Sequence, residues 1–446
     1  MTLPVLGRLS VIEWGFVVVS IAFTWLEYVS TTITRSLPRG LIRFLSYALN
    51  VAYRFSSTPI NFITQRDAGD TAPEKHRLMT RMLNSRNIQE MCQLYGYDVE
   101  NRLVRTQDGY LLTMHRLTRC NGPPAPRNGR VVYLHHGLLM SAEIWVTMLE
   151  RNQNLPFVLY ERGYDVWLGN NRGNKYSHKH INRKLDLAAF WDFCIDDFAM
   201  FDIPDTIDAI LSDTGAPCLT YIGFSQGTAQ AFALVSVNPQ LNSKVDRIIA
   251  ISPATTPHGL YSRFLDIWLK SSPNLIYLLF SRKVLMPSVL FWERVMYPPF
   301  FDSSIDISIY MLFNWRSTNI DKIQKVASYA HLYSTTSVKT VVHWFQIMAS
   351  KTFHMYHDAS TAVSNLNPVC YPLQNIRIPI SLIYGDADLL VDIEVMHLQL
   401  PSTNVQSHCV AGHEHLDNLW GRDVEQTVIP LVLHAANNAE TINHSP

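Results

Sequence analysis

The fold is decided by one short stretch of the sequence, Gly223-Phe224-Ser225-Gln226-Gly227. An apolar run at 218–222 precedes it, and an alanine-rich, helix-favouring run at 228–235 follows it. Strand, sharp turn and helix form the setting in which a G-x-S-x-G nucleophile elbow occurs. Glycine two residues before and two residues after the serine lets the turn close without a clash. The stretch therefore predicts a nucleophilic serine exposed at the tip of a turn on an α/β sheet.

A serine hydroxyl needs a base, an acid that orients the base, and an oxyanion hole. In this fold the acid and then the base follow the serine along the chain. An apolar, strand-like run at 378–384 leads to two aspartates, Asp386 and Asp388, and a later segment carries His413 and His415. The alternative for each aspartate is a solvated loop residue, and the alternative for each histidine is a surface or packing residue. Spacing alone selects neither aspartate and neither histidine.

Two backbone N–H groups are expected to form the oxyanion hole. One belongs to Gln226, directly after the serine, and the other belongs to a loop after an earlier strand. A strand is predicted at 131–134, and His135-His136-Gly137-Leu138 follows it. Gly137 would let the chain turn so that the Leu138 N–H faces the serine. A metal site at the two histidines is discounted, because no carboxylate or cysteine lies nearby at ligand spacing.

Several blocks of the sequence resemble the acid lipase family, which includes gastric and lysosomal acid lipases and fungal steryl ester hydrolases. The matching blocks are residues 87–97, 106–110, 136–138, 163–174 and 190–191 with 202–208. The resemblance covers roughly residues 87–435. One departure is Asp98, where the family usually has proline after Gly-Tyr, and this position is peripheral to the chemistry.

The resemblance implies a role for each candidate residue. It makes Ser225 the nucleophile. The family's Gly-x-x-Asp-Leu-Leu-x-Asp block falls on residues 385–392, which makes Asp388 the triad acid, and its His-Leu-Asp block begins at His415, which makes His415 the base. The implied chemistry is ester hydrolysis through a serine acyl-enzyme, with no metal and no cofactor.

Composition excludes some classes of partner. The 446 residues carry no net charge, with 37 basic and 37 acidic side chains and no basic stripe, so nucleic acid is not expected as a partner. Hydrophobic residues make up 47% of the chain and charged residues only 17%, which is apolar for a soluble enzyme. Six cysteines are scattered without a C-x-x-C pair, a distribution that predicts neither a zinc site nor a disulfide framework.

The chain between the nucleophile and the acid is longer than one strand–helix unit requires. Residues 256–365 are dense in aromatic and aliphatic side chains without strand alternation. This pattern predicts a helical cap, or lid, inserted into an α/β-hydrolase core at 87–255 and 366–436, with a polar tail at 437–446. Part of the apolar surface is expected to be ordinary buried helix, and part is expected to line a channel for acyl chains and a bulky alcohol.

An N-terminal anchor is predicted at 1–55. Residues 14–26 are uncharged and mainly apolar, and residues 41–55 show a basic amphipathic pattern of the kind that lies in a membrane interface. Packing of this stretch on the enzyme's own core is the alternative. The polar residues 56–86 predict a linker. The anchor predicts a membrane or lipid-droplet surface as a partner, and a location at the lipid droplet or endoplasmic reticulum with the catalytic domain facing the cytosol.

The favoured function is hydrolysis of neutral lipid esters. Steryl esters are preferred over triacylglycerols as the substrate, because anchor and core together look most like the fungal steryl ester hydrolases. A secreted or lysosomal lipase is disfavoured, because no A-x-A-like cleavage site follows the N-terminal apolar run and no internal glycosylation sequon is present. A catalytically silent lipid-binding or scaffold protein is disfavoured by the complete set of triad and oxyanion motifs.

Overall fold

The computed structural model describes residues 73–121, 128–262, 280–285, 298–358 and 368–437, with single positions and pairs elsewhere between residues 25 and 288. These residues form a nine-stranded mixed sheet. The strands are β1 Tyr97–Arg105, β2 Tyr110–Arg119, β3 Val131–His135, β4 Asp165–Leu168, β5 Lys179–His180, β6 Leu219–Phe224, β7 Val245–Ile251, β8 Ile380–Gly385 and β9 Val405–Val410. Their order in the sheet is β1-β2-β4-β3-β6-β7-β8-β9, and β5 pairs with β2.

Helices connect and cover these strands. The α-helices are α1 Pro73–Leu83, α2 Ile88–Gln93, α3 Leu155–Glu161, α4 Ile195–Asp197, α5 Ile203–Thr214, α6 Gln226–Val237, α7 Pro298–Phe313, α8 Lys322–Tyr329, α9 Val338–Ser350, α10 Ile393–Gln399, α11 Asp417–Trp420 and α12 Val428–Asn437. A π-helix at Phe198–Asp202 joins α4 to α5. Short 3-10 helices lie at Ala142–Trp145, Arg151–Gln153, Ala188–Phe190, Pro239–Ser243 and Leu373–Asn375.

The sheet separates two hydrophobic cores. Successive side chains of a strand point to opposite faces. Val132 and Leu134 of β3 accordingly pack in one buried cluster, and Val131 and Tyr133 pack in the other. All six residues of β6 are buried. Burial on both faces is the usual state of parallel strands covered by helices, and it makes the centre of the sheet a rigid platform.

The carboxyl ends of the central strands meet at one edge of the sheet. Strands β3, β6, β7 and β8 run parallel as neighbours, with His135 opposite Gly223 and Phe224 opposite Ile251. In open α/β sheets the loops at this edge form the ligand site. Topology therefore brings together the segments that the sequence analysis selected after β3, β6 and β8.

The chain between the neighbouring strands β7 and β8 forms an insertion. Its described part contains α7, α8 and α9, and no strand longer than an isolated bridge. This agrees with the helical character predicted for 256–365. The exact boundaries of cap and core stay a prediction.

One expected feature is corrected by the structure. The sequence analysis predicts a linker over residues 56–86, whereas residues 73–83 form helix α1. Met82 is fully buried, Leu78 and Met79 pack beside it, and the Met82 carbonyl accepts a hydrogen bond from His331 Nε2 at 2.8 Å. The polar composition concealed an apolar stripe at helical spacing, so this segment belongs to the folded body.

The predicted anchor at 1–55 lies outside the described residues, apart from a few single positions. Within the described part of the chain, none of the helices combines the length and the hydrophobicity that a membrane span requires.

Candidate active site

Ser225 occupies the turn between β6 and α6. The strand ends at Phe224 and the helix begins at Gln226, so Ser225 alone connects the two elements. Ser225 has φ 52° and ψ −119°, a backbone conformation that residues other than glycine rarely adopt. Strain of this kind persists where the surroundings enforce it, typically at functional sites. The half-buried serine has the geometry of a nucleophile elbow.

The two glycines of the elbow are required by close backbone contacts. A Cβ atom at Gly223 would lie 2.8 Å from the Thr228 backbone nitrogen. At Gly227 it would lie 2.6 Å from the His135 carbonyl oxygen and 2.8 Å from that of His136. These distances are shorter than van der Waals contact, so only glycine lets helix α6 start this close to the end of β3.

The structure brings His415 and Asp388 together. His415 Nδ1 lies 2.7 Å from Asp388 Oδ2, and both side chains are buried. The other carboxylate oxygen, Oδ1, accepts a hydrogen bond from the Leu390 backbone N–H at 3.1 Å. The carboxylate therefore holds the imidazole with Nδ1 as the donor and leaves Nε2 available as a base.

The rival candidates have other contacts. Asp386 is exposed, and its Oδ1 accepts a hydrogen bond from the Gly412 N–H at 2.6 Å. His413 is buried, with Nδ1 2.9 Å from Asn418 Oδ1 and Nε2 3.1 Å from Asp423 Oδ1. Both residues brace the loop that carries His415. Neither contacts the His415–Asp388 pair through a side-chain hydrogen bond in the described part of the chain.

The pair and the serine share the carboxyl edge of the sheet. The ring of Phe224, the residue before the serine, lies 5.1 Å from the His415 ring, centroid to centroid. The Ser252 hydroxyl, just after β7, donates to the His415 carbonyl at 2.8 Å. No hydrogen bond joins the Ser225 hydroxyl to His415 among the described residues. Such contacts often tighten only when substrate is bound.

The loop after β3 lies against the elbow. A Cβ atom at Gly137 would come within 3.2 Å of Ser225 Cβ, so the glycine permits this approach. Leu138 follows it and is half-buried. The backbone N–H groups of Leu138 and Gln226 donate to no backbone acceptor in the described part of the chain. Two free donors beside the serine are what an oxyanion hole needs.

His136 holds this loop in place. Its Nε2 accepts hydrogen bonds from the Asn171 N–H at 3.1 Å and from Asn174 Nδ2 at 3.2 Å. Nδ1 therefore carries the proton, which it donates to the Gly137 carbonyl at 2.8 Å. Burial lowers the pKa of His136 to about 4, so the ring is neutral near pH 7. The sequence analysis placed His136 in the oxyanion loop by resemblance and discounted it as a metal ligand, but it did not predict this positioning role.

Trp315 of the insertion covers the imidazole. Its ring stacks on His415 with centroids 4.7 Å apart and planes 6° from parallel. The Phe313 ring also stacks on the indole, with centroids 4.4 Å apart. Trp315 is buried, and its Nε1–H has no hydrogen-bond partner among the described residues. The aromatic density of the insertion was the available sign of such a contact, but it pointed to no particular residue.

Glu414 fastens the insertion to the histidine loop. Its Oε1 accepts a hydrogen bond from the Arg316 N–H at 2.8 Å, and its Oε2 accepts one from the Ser317 N–H at 2.7 Å. These two bonds lie directly after Trp315 and directly before His415. They therefore fix the position of Trp315 relative to His415. A second link joins the insertion to the elbow, where Trp344 Nε1 donates to Gln226 Oε1 at 2.7 Å.

An apolar cavity of about 230 Å³ opens beside the acid. Its lining is His258, Gly259, Leu260, Tyr261, Phe313, Leu389 and Leu390. Leu389 and Leu390 directly follow Asp388, and Phe313 contacts Trp315. Mainly apolar walls beside a few polar groups are typical of a pocket for a hydrophobic ligand.

The chain matches a family model described as alpha/beta hydrolase fold over residues 130–421, and another described as partial alpha/beta-hydrolase lipase region over 88–149. A probable lipase of Schizosaccharomyces pombe is 49% identical over 356 residues, which are 78% of this chain and 80% of the relative. Gastric triacylglycerol lipase of Homo sapiens is 32% identical over 367 residues, which are 77% of this chain and 88% of the relative.

Among solved structures, a carboxylesterase from Bacillus subtilis aligns with 81% of this chain and 97% of its own. Its TM-score is 0.42 and its sequence identity is 14%, so the family match does not depend on it.

Proposed function

The chain belongs to the acid-lipase-like branch of the α/β-hydrolase family, and on that premise we propose that it cleaves neutral lipid esters with Ser225, His415 and Asp388. The family match confirms the expected α/β-hydrolase fold and the expected class of activity. The protein is a carboxylic ester hydrolase. This outcome removes the silent lipid-binding protein from consideration.

The proposed reaction proceeds through an acyl-enzyme. Ser225 Oγ attacks the ester carbonyl while His415 Nε2 takes its proton, and the N–H groups of Leu138 and Gln226 donate to the oxyanion. His415 then gives the proton to the departing alcohol. Water attacks the acyl-enzyme with His415 again as the base, which releases the fatty acid and restores the serine. Asp388 keeps the imidazole oriented and stabilises its charged form.

A single observation carries this proposal. A buried His–Asp pair, joined at 2.7 Å, lies at the same sheet edge as a serine forced into a strained turn. An isolated buried carboxylate is costly, and the His415 contact compensates that cost.

We propose steryl esters as the substrate. The support is the apolar cavity beside the acid, the aromatic cover over His415, and the resemblance to fungal steryl ester hydrolases. Triacylglycerol is the second candidate, and it is favoured by the 32% identity to gastric triacylglycerol lipase.

A panel of steryl oleate, triolein and phosphatidylcholine in matched emulsions tests the substrate proposal, with Ser225→Ala as the blank. The expected result is a higher kcat/KM for steryl oleate than for triolein. A preference for triolein would replace the proposed substrate while leaving the proposed triad intact. Activity in the Ser225→Ala blank would instead contradict the triad.

The enzyme is proposed to work at a lipid-droplet or endoplasmic reticulum surface, with its catalytic domain facing the cytosol. Trp25, Leu41 and Phe44 support this, because these large apolar side chains from the predicted anchor are exposed. Exposed apolar and aromatic side chains on an amphipathic segment insert into a lipid interface. Water-insoluble esters are presented at such surfaces.

A further inference from the structure

Three side chains outside the proposed triad converge behind the elbow. Cys194 and Asp196 lie at the start of α4, and His343 lies on α9 of the insertion. One potential ligand atom from each lies within 4.8 Å of the other two. Cys194 and His343 are buried and Asp196 is half-buried. The sequence analysis found no ligand spacing here, because His343 is far along the chain and only the fold brings it close.

The imidazole of His343 is oriented as a metal ligand would be. Its Nε2 donates a hydrogen bond to the His354 carbonyl at 2.8 Å, so Nδ1 carries a lone pair. Nδ1 is fully buried and has no hydrogen-bond partner within the described residues. Metal-binding histidines usually donate their second ring N–H to a carbonyl or carboxylate in this way. A buried acceptor without a donor is costly unless a ligand satisfies it.

Two hydrogen bonds fix the carboxylate of Asp196. The Tyr356 backbone N–H donates to Oδ2 at 2.9 Å, and the Tyr371 hydroxyl donates to Oδ1. Each carboxylate oxygen keeps a further lone pair. Ligating carboxylates are commonly fixed by such outer hydrogen bonds.

We propose that Cys194, Asp196 and His343 bind one Zn²⁺ per chain. Sulfur, imidazole and carboxylate together form a donor set that suits zinc, whereas Mg²⁺ and Ca²⁺ prefer oxygen ligands alone. Three protein ligands leave a fourth position for water. Binding converts the Cys194 thiol to a thiolate, so one proton is released for each ion bound.

The site would brace the insertion against the core. Trp344, the residue after His343, donates to the Gln226 side chain at the elbow. An ion joining α9 to α4 would therefore fix the helix that supports an oxyanion residue. The site contributes to stability, and it takes no part in the proposed ester chemistry.

Metal content of the full-length protein tests the proposal. The purified chain is incubated with ZnCl₂, dialysed, and analysed by mass spectrometry of the metal. We expect about one zinc per chain in the wild type and in Cys120→Ser, a control at an exposed cysteine. We expect stoichiometric zinc to be lost in Cys194→Ser and in His343→Gln. Wild-type protein that retains no zinc would overturn the proposal, as would Cys194→Ser protein that retains it.

The cobalt spectrum of the wild-type chain provides a readout that does not depend on the folding of any variant. Co²⁺ bound to the wild-type chain is expected to show the near-ultraviolet charge-transfer band of thiolate–cobalt bonding. Tyr371→Phe removes the hydroxyl that donates to Asp196, and it is expected to weaken Co²⁺ affinity about 10- to 100-fold while keeping the band. Cobalt binding without a thiolate band would exclude Cys194 as a ligand and contradict the site.

Discussion

At the scale of single residues, the two aspartates near the proposed base differ in what they contact. Asp388 is buried and contacts His415, whereas Asp386 is exposed and accepts a hydrogen bond from the Gly412 N–H. We expect Asp388→Asn to lower kcat about 10³- to 10⁴-fold, because an amide no longer fixes the imidazole tautomer. Asp386→Asn, the matched control, is expected to stay within about 3-fold of the wild type, since its hydrogen bond is solvent-exposed. Steady-state kinetics on a short-chain nitrophenyl ester make the comparison, and similar losses in the two variants would refute the assignment.

Trp315 offers a second residue-scale test. An aromatic face stacked on an imidazole stabilises the imidazolium that forms as Ser225 loses its proton, by about 0.5–2 kcal/mol. Trp315→Leu is therefore expected to lower kcat about 2- to 30-fold with little change in KM on a short soluble ester. Trp315→Phe keeps an aromatic face and loses no observed hydrogen bond, so it is expected to retain most of the activity. Equal rates in the leucine and phenylalanine variants would show that the stack does not assist the reaction.

The elbow could be predicted because its G-x-S-x-G pattern is contiguous in the sequence. The close contacts at Gly223 come from residues 227 and 228, whereas those at Gly227 come from His135 and His136, which are distant in the chain, so only the structure gives the second reason. The choice of Asp388 over Asp386 came from family resemblance alone, because burial is a property of the assembled fold. Trp315 and Glu414 were not predicted, since their partners lie about one hundred residues away along the chain.

At the scale of elements, helix α7 carries a buried carboxyl group. Burial, with a further contribution from Asp306, raises the pKa of Asp302 to about 7, and Lys325 opposes this only in part. The unfolded chain has an ordinary aspartate pKa near 3.9. Between these two values the folded state holds the proton and the unfolded state does not, so this residue makes stability fall as pH rises from about 4 to 7.

Asp302→Asn removes this pH dependence while keeping the size of the side chain. Relative to the wild type, Asp302→Asn is expected to increase the free energy of unfolding by about 2–3 kcal/mol more at pH 8 than at pH 5. Denaturant titrations at the two pH values measure this difference. Asp306→Asn, one turn along the helix, is a coupled variant, because it loses its ion pair with Lys325 and also removes one cause of the raised pKa of Asp302. It is expected to change the pH dependence less than Asp302→Asn does, since burial of Asp302 remains. A pH-independent effect of Asp302→Asn would contradict the assigned protonation.

Element types were easier to predict than element boundaries. The insertion is helical, as its aromatic, non-alternating sequence indicates. No local sequence pattern, however, indicated that Trp315 would contact His415. Helix α1 was missed because polar residues outnumber its apolar stripe. That stripe becomes stable only by packing against α8 and the core, which is a tertiary effect.

At the scale of the whole molecule, attachment to lipid and catalysis are expected to be separable. Deletion of residues 1–55 is expected to release the enzyme from membranes and lipid droplets, because it removes the predicted apolar and amphipathic segments. Activity on short soluble esters is expected to persist, since the proposed triad lies beyond residue 200. Flotation and fractionation of a tagged truncated protein measure the first effect, and ester assays measure the second.

An exposed apolar surface on helix α7 is the alternative site of attachment to lipid. Ile307, Tyr310 and Met311 are exposed on this helix. If the truncated protein still floats with lipid droplets, attachment depends on a surface such as this one, and the proposed role of residues 1–55 is wrong. Substituting Ile307 and Met311 by serine in the truncated protein would then identify the surface.

The central claim is that Ser225, activated by His415 and Asp388, is the nucleophile. The most direct measurement is reaction of the full-length enzyme with a fluorophosphonate, followed by peptide mass spectrometry to locate the adduct. We predict one adduct, on Ser225, that is absent from Ser225→Ala and forms far more slowly in Asp388→Asn. An adduct on another residue of the active enzyme, or unchanged labelling in Asp388→Asn, would contradict the account.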